Sequence, residues 1–137
     1  MPTTYTPNEG RQLAGQLIFN QSNPDRGVGL ALGLMTNTAG LGNGTLLTDI
    51  IEPSGGNYAR ISLADGGWTV NASGVCSYAK QIFTADGGAF NAAITGFFIC
   101  TTGTAPRLLD IEVQDAAVTV GANETYSVTP IIHIAGG

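Results

Sequence analysis

His133 is the single histidine of this chain, and Cys76 and Cys100 are its only thiols. A thiol beside an imidazole could supply a nucleophile and its base. Neither cysteine carries a local signature of such a site, and no Gly-x-Ser-x-Gly elbow offers a serine instead. His133 stands between Ile132 and Ile134 in a strand-like run and faces away from them, which is the place of a surface or interface histidine. Neither cysteine has a CxxC partner or a nearby histidine, so no metal centre is expected. In a reducing cytoplasm they read as two buried free thiols, bridged only if their strands prove to be neighbours at disulfide geometry.

Carboxylates are the next candidates. Asp110 and Glu112 share one face of a strand, and paired acids can perform glycoside chemistry. An exposed acidic face is the commoner meaning of that spacing, and it could meet basic residues of a partner or recruit a cation. Gly40-Leu-Gly-Asn-Gly44-Thr45 has the glycines of a phosphate loop but lacks the lysine and a following helix. Arg60 is one of five basic residues, follows Tyr58 by two and shares its strand face with Ser62. Two readings stand for it: a guanidinium stacked at the surface, or an ion pair to an acid within the domain or across an interface. Trp68 and Phe83 are expected to anchor the core, with sugar stacking by Trp68 as the lesser reading. No catalytic, cofactor-binding or metal residue is assigned, and no enzyme is expected.

The elements that must position these residues are short strands. Residues 58–64 alternate, Asp65-Gly66-Gly67 turns, and Trp68 and Val70 open the next strand. Residues 28–36 set Leu30, Leu32 and Leu34 against Gly29, Ala31 and Gly33, so one face is bulky and the other nearly bare; a bare face admits another backbone. Residues 75–84 read as one strand. Asp86-Gly87-Gly88 repeats the earlier turn, and both turns fit positions of positive φ. The apolar run at 94–100 implies burial on both faces. Residues 107–114 place Leu109, Ile111 and Val113 on one side and Leu108, Asp110, Glu112 and Gln114 on the other. Residues 118–120 and 125–134 read as a closing hairpin across the turn at 121–124, with Tyr126, Val128 and Ile132 on one face and Pro130 marking an edge or an irregularity. About eight strands at regular spacing predict an all-β antiparallel β-sandwich, jelly-roll-like. Ahead of it, residues 1–8 read as an extended arm, loose or docked on a neighbour. Residues 9–21 form a short helix capped by Asn8, or a strand over 16–20. The division expected is therefore 1–22 for arm or helix and 23–137 for the sandwich.

Composition limits what such a module can do. Charged residues are 11% of the chain, well below the usual ~25%, so much of the surface is Gly, Thr, Asn and Ser or is covered by other subunits. Net charge is −5 with no basic cluster, which argues against nucleic-acid partners. No run approaches the ~18 apolar residues of a membrane span, and the first residues lack the pattern of a signal peptide. The sequons at Asn20, Asn43, Asn71 and Asn123 are then expected to be chance products.

Tyr58-Ala-Arg60, Trp68-Thr-Val70, Gln81-Ile-Phe83-Thr, Gly87-Gly88 and Ile94-Thr-Gly-Phe97-Phe-Ile99 follow one another in an order that resembles small structural proteins of tailed bacteriophages, and the closing Tyr126-to-Ile134 segment is similar to the way such chains end. The resemblance runs from about residue 55 to 134 and is not shared by the first part of the chain. It implies a virion component assembled in the host cytoplasm, without enzymatic activity. The placement it favours is a capsid decoration or cement protein, a homo-oligomer with a trimer favoured, bridging subunits of the major capsid protein. The alternative is a tail or fibre-associated module that binds receptor carbohydrate, for which Tyr5, Phe90 and Tyr126 are the available loop aromatics. On either placement Arg60, Tyr58, Trp68, Phe83 and Tyr126 are the interface or core candidates.

Overall fold

The computed structural model describes residues 3–12 and 28–133. The chain is all-β and its strands pair antiparallel. Ten strands are present among the described residues: β1 (Thr3–Tyr5), β2 (Leu30–Met35), β3 (Ile61–Leu63), β4 (Thr69–Val70), β5 (Val75–Ser77), β6 (Gln81–Thr84), β7 (Ile94–Thr101), β8 (Leu108–Val118), β9 (Thr125–Val128) and β10 (Ile131–His133). They form a five-stranded sheet of order β1-β8-β7-β2-β3, a three-stranded sheet β10-β5-β4 and a pair β6-β9.

The central sheet is covered on both faces. Leu32, Leu34, Leu63, Phe97 and Ile99 point one way and meet Phe83 of β6 and Val128 of β9, so this is the interlayer core of the sandwich. Ala31, Met35, Phe98, Cys100, Leu108 and Ile111 point the other way and are closed over by Leu41, Leu47 and Ile50 of the loop after β2. Double coverage explains why β7 is apolar at nearly every position: only Thr95 is less than buried.

The bare face of β2 is filled from within. Gly33 lies opposite Phe98 in the β2–β7 ladder, and a Cβ on Gly33 would stand 2.2 Å from Phe98 Cζ. The ring thus lies over the glycine where another backbone was expected, an aromatic occupying the space its cross-strand neighbour leaves open.

Several strands differ from their sequence pattern. The run 75–84 is divided: β5 pairs β4 and β10, whereas β6 pairs β9. The closing segment divides at the same level, with Pro130 O accepting from Tyr78 N at 3.0 Å where the chain passes from one sheet to the other. Hence residues 118–120 and 125–134 are not a hairpin; β9 and β10 take β6 and β5 as partners. The alternation read for 107–114 also breaks. Ile99 faces Asp110 but Cys100 faces Leu108, so Leu109 is an extra residue in β8. This bulge puts Leu108 and Ile111 on one face and turns Leu109 and Asp110 together toward the interlayer side. Asp110, expected on an exposed acidic face, is buried.

Of the two Asp-Gly-Gly turns, only the second uses positive φ, at Gly87 (75°). Asp65–Gly67 is instead a 3-10 turn, and its last glycine is needed because a Cβ there would meet the Tyr78 ring at 2.3 Å. At the chain start, β1 is the edge strand beside β8, with Thr4 opposite Glu112, so the arm's strand is docked within its own chain. Residues 8–12 are helical; the rest of the helix expected over 9–21, the alternative strand over 16–20 and the boundary at 22 lie outside the described residues.

Candidate functional site

Among the described residues, a connected group of polar side chains gathers at the β3 edge of the central sheet. β3 pairs β2 only from Leu30 to Leu32, which leaves the later outward N–H groups of β2 without a ladder partner. Two substitutes complete the edge. Tyr58 Oη accepts from Leu34 N at 2.9 Å, and Ile51 O accepts from Thr36 N at 2.8 Å. Asn37 ties the second in place, its amide donating to Asp49 O and its carbonyl accepting from Ile51 N.

This lacing aims Glu52. Tyr58 Oη donates to Glu52 Oε1 at 2.7 Å. Arg60 donates from Nε to Oε1 at 3.0 Å and from Nη2 to Oε2 at 2.8 Å, a two-pronged ion pair. The connection from Glu52 to Tyr58 is closed by left-handed residues at Gly55, Gly56 and Asn57, and the first two tolerate that conformation because they lack a Cβ. The guanidinium also lies 5.2 Å over the Phe98 ring and donates from Nη1 to Cys100 Sγ at 3.4 Å. Arg60 therefore pairs with an acid of the same domain, and the ring it lies over is the buried one of Phe98.

The electrostatics make this a fastener. Burial, reinforced by the hydrogen bond to Glu52, raises the Tyr58 phenol far above its ordinary value, so it remains a neutral donor. The hydrogen bond to Glu52 raises Arg60 despite partial burial. Burial raises the Cys100 thiol and keeps it from the thiolate form, against the opposite pull of Arg60.

The other candidates lie apart. Phe83 is in the interlayer core, 6.0 Å from Tyr58 in a stacked arrangement, with Phe90 edge-on to Tyr58 at 5.8 Å. Trp68 is half-buried at the margin of that core, edge-on to Tyr78 at 5.2 Å. Trp68→Ala is accordingly expected to cost about 2 kcal/mol, roughly half the loss from emptying a fully buried aromatic site; chemical denaturation measures it, and a loss above twice that would place the indole in the core proper. Tyr126 packs half-buried on the same core opposite Phe83. His133 is exposed on β10 opposite Val75, while Cys76 lies opposite Ile132, so imidazole and thiol point to opposite sides of that strand pair. Both cysteines are free and buried, Cys76 in the three-stranded sheet and Cys100 in the central one.

Glu52 and Phe98 were not singled out by the sequence. The available signal was an acid before Pro53, eight residues ahead of Arg60 across a Gly-Gly turn, a spacing that folds the chain back on itself. No family model matches the chain, and neither the curated proteins nor the solved structures yield a match.

Proposed function

We propose that the chain is a structural subunit of a tailed-phage particle, a decoration or cement protein of the head that bridges coat subunits and works by adhesion. The observation that carries this reading is the distribution of exposed apolar side chains on a weakly charged surface. Val70 is 61% exposed and Ile51 59%, and Leu46, Ile82, Val118 and Ile131 are also exposed. They lie on different elements: Leu46 and Ile51 on the loop over the outer face of the central sheet, Val70 and Ile131 on the three-stranded sheet, Ile82 on β6. Contacts spread around a body suit a subunit with neighbours on several sides, and symmetry multiplies such weak contacts into firm attachment.

The resemblance of residues 55–134 to phage structural proteins points the same way. The receptor-binding alternative has less support, because the aromatics it would need are committed to packing: Phe90 is buried in the interlayer core, Tyr126 packs on it, and Tyr5 packs on the outer cluster. The test is to incubate the purified chain with heads of the phage that encodes it. It is expected to cosediment and to give density at symmetry-repeated positions. Val70→Asp or Ile51→Asp should weaken attachment while leaving the melting temperature unchanged, because both side chains are already exposed to water. A chain that stays solitary and ignores heads would end the proposal.

A further inference from the structure

The bulge in β8 leaves one ionisable group in an unusual position. Asp110 is 2% exposed on the interlayer side of the central sheet. Its Oδ2 is buried with no hydrogen-bond partner, a condition that native cores rarely tolerate for a charged oxygen.

The groups facing it, among the described residues, offer no cation. On its own strand Glu112 adds a second carboxylate, which accepts from Gln114 Nε2 at 3.1 Å. From β9, Tyr126 approaches Glu112, and its phenol is raised by burial and then by that carboxylate. From β7, Ile99 is the cross-strand partner of Asp110 and Phe97 that of Glu112, both of them apolar. Arg107, just ahead of β8, lies 3.9 Å from Glu9 Oε1, while Glu9 Oε2 accepts from Leu108 N.

We propose that Asp110 is a proton-operated latch of the sandwich: protonated, it is a neutral group that the interlayer core accepts; ionised, it loosens the seating of the β6–β9 pair on the central sheet. The inference is independent of the particle assignment. A protonated carboxyl has an O–H to turn toward a neighbouring acceptor and no charge to desolvate, whereas the carboxylate is helped only by the Ile111 backbone N–H and has no protein donor at Oδ2.

Burial, and secondarily Glu112, push the Asp110 carboxyl up to about 7 from its ordinary 3.8. The folded state therefore holds this proton more tightly than the unfolded chain does. The stabilisation is complete below 3.8, declines as pH rises toward 7, and is gone above it. Asp110→Asn keeps the shape and removes the titration.

The experiment is urea unfolding of the full chain and of Asp110→Asn from pH 4 to pH 8.5. The ratio of the two unfolding constants, wild type over variant, is expected to climb by up to about tenfold per pH unit and to level off near neutrality, the linkage of a single proton. Amide exchange in β8 and β9 of the wild type, compared with the variant at each pH, should show protection lost over the same interval. A ratio that stays flat between pH 5 and pH 8 would overturn the latch. A readout on wild type alone guards against a variant that fails to fold: a protonated-carboxyl infrared band should persist at pH 6, and its absence there would equally refute the proposal.

Discussion

Gly33→Ala is expected to lower stability by roughly 3 kcal/mol, the upper end of what overpacking a core costs. The new methyl would occupy the position now taken by the edge of the Phe98 ring. That ring has no exposed surface and nowhere to retreat: Cys100 and Ile111 share its cluster on the sheet, and Arg60 lies across its face. Displacing it would also disturb the guanidinium that joins β3 to Glu52. At on the order of 4 °C per kcal/mol for a domain of this size, the melting temperature should fall by about 10 °C. The specific check is a double-mutant cycle with Phe98→Leu, which frees the space over Gly33. The pair should be less destabilised than the sum of the singles, by about 1 kcal/mol or more. Additive losses, or a Gly33→Ala protein that melts like wild type, would mean that the ring is not seated on the glycine.

The second large effect is at Tyr58, where ring and hydroxyl are separable. The ring bridges Phe83 and Phe90, so Tyr58→Ala should cost about 4 kcal/mol, in the range for removing a packed aromatic. The hydroxyl closes the gap left where β3 stops short, and Tyr58→Phe strands both the Leu34 N–H and one hydrogen-bonding position of Glu52. That loss should be about 1–3 kcal/mol, the cost of a buried polar group without its partner. Its pH dependence has a definite sign. The folded-state phenol is raised above its ordinary 10.0, so the hydroxyl's contribution is constant through neutral pH. Above pH 10 the unfolded chain gains by releasing the proton and the wild type loses stability that Tyr58→Phe does not. Denaturation curves for the three proteins at pH 7 and pH 11 measure both effects. A Tyr58→Phe protein as stable as wild type at pH 7 would show that solvent satisfies Leu34 unaided.

These two sites show how unevenly the sequence spoke. Arg60 stood out by its type and was left open between stacking and pairing, whereas Tyr58 was read as its neighbour on a strand that in fact begins only at Ile61. Glu52 was not legible as the partner, because the loop that carries it is placed by hydrogen bonds to Asn37 and Thr36 that span 12 to 15 positions along the chain. Asp110 was legible as a carboxylate on a strand but not as a buried one. A strict alternation sent it outward, and a single inserted residue at Leu109 turned it inward.

By itself the sequence determined the all-β class, the double burial of 94–100, the main turns and the alternating face that brings Val128 and Ile132 to the core. Each of these follows from a period of two or from residues with restricted backbones, and such signals are local. Tertiary structure alone decided which edges meet: β1 on β8, β5 and β6 in different sheets, and Phe98 over Gly33 where a second backbone had room. A strand's own residues state that it will pair and which side is apolar, but the partner is chosen by the competition of all free edges and both open faces for burial.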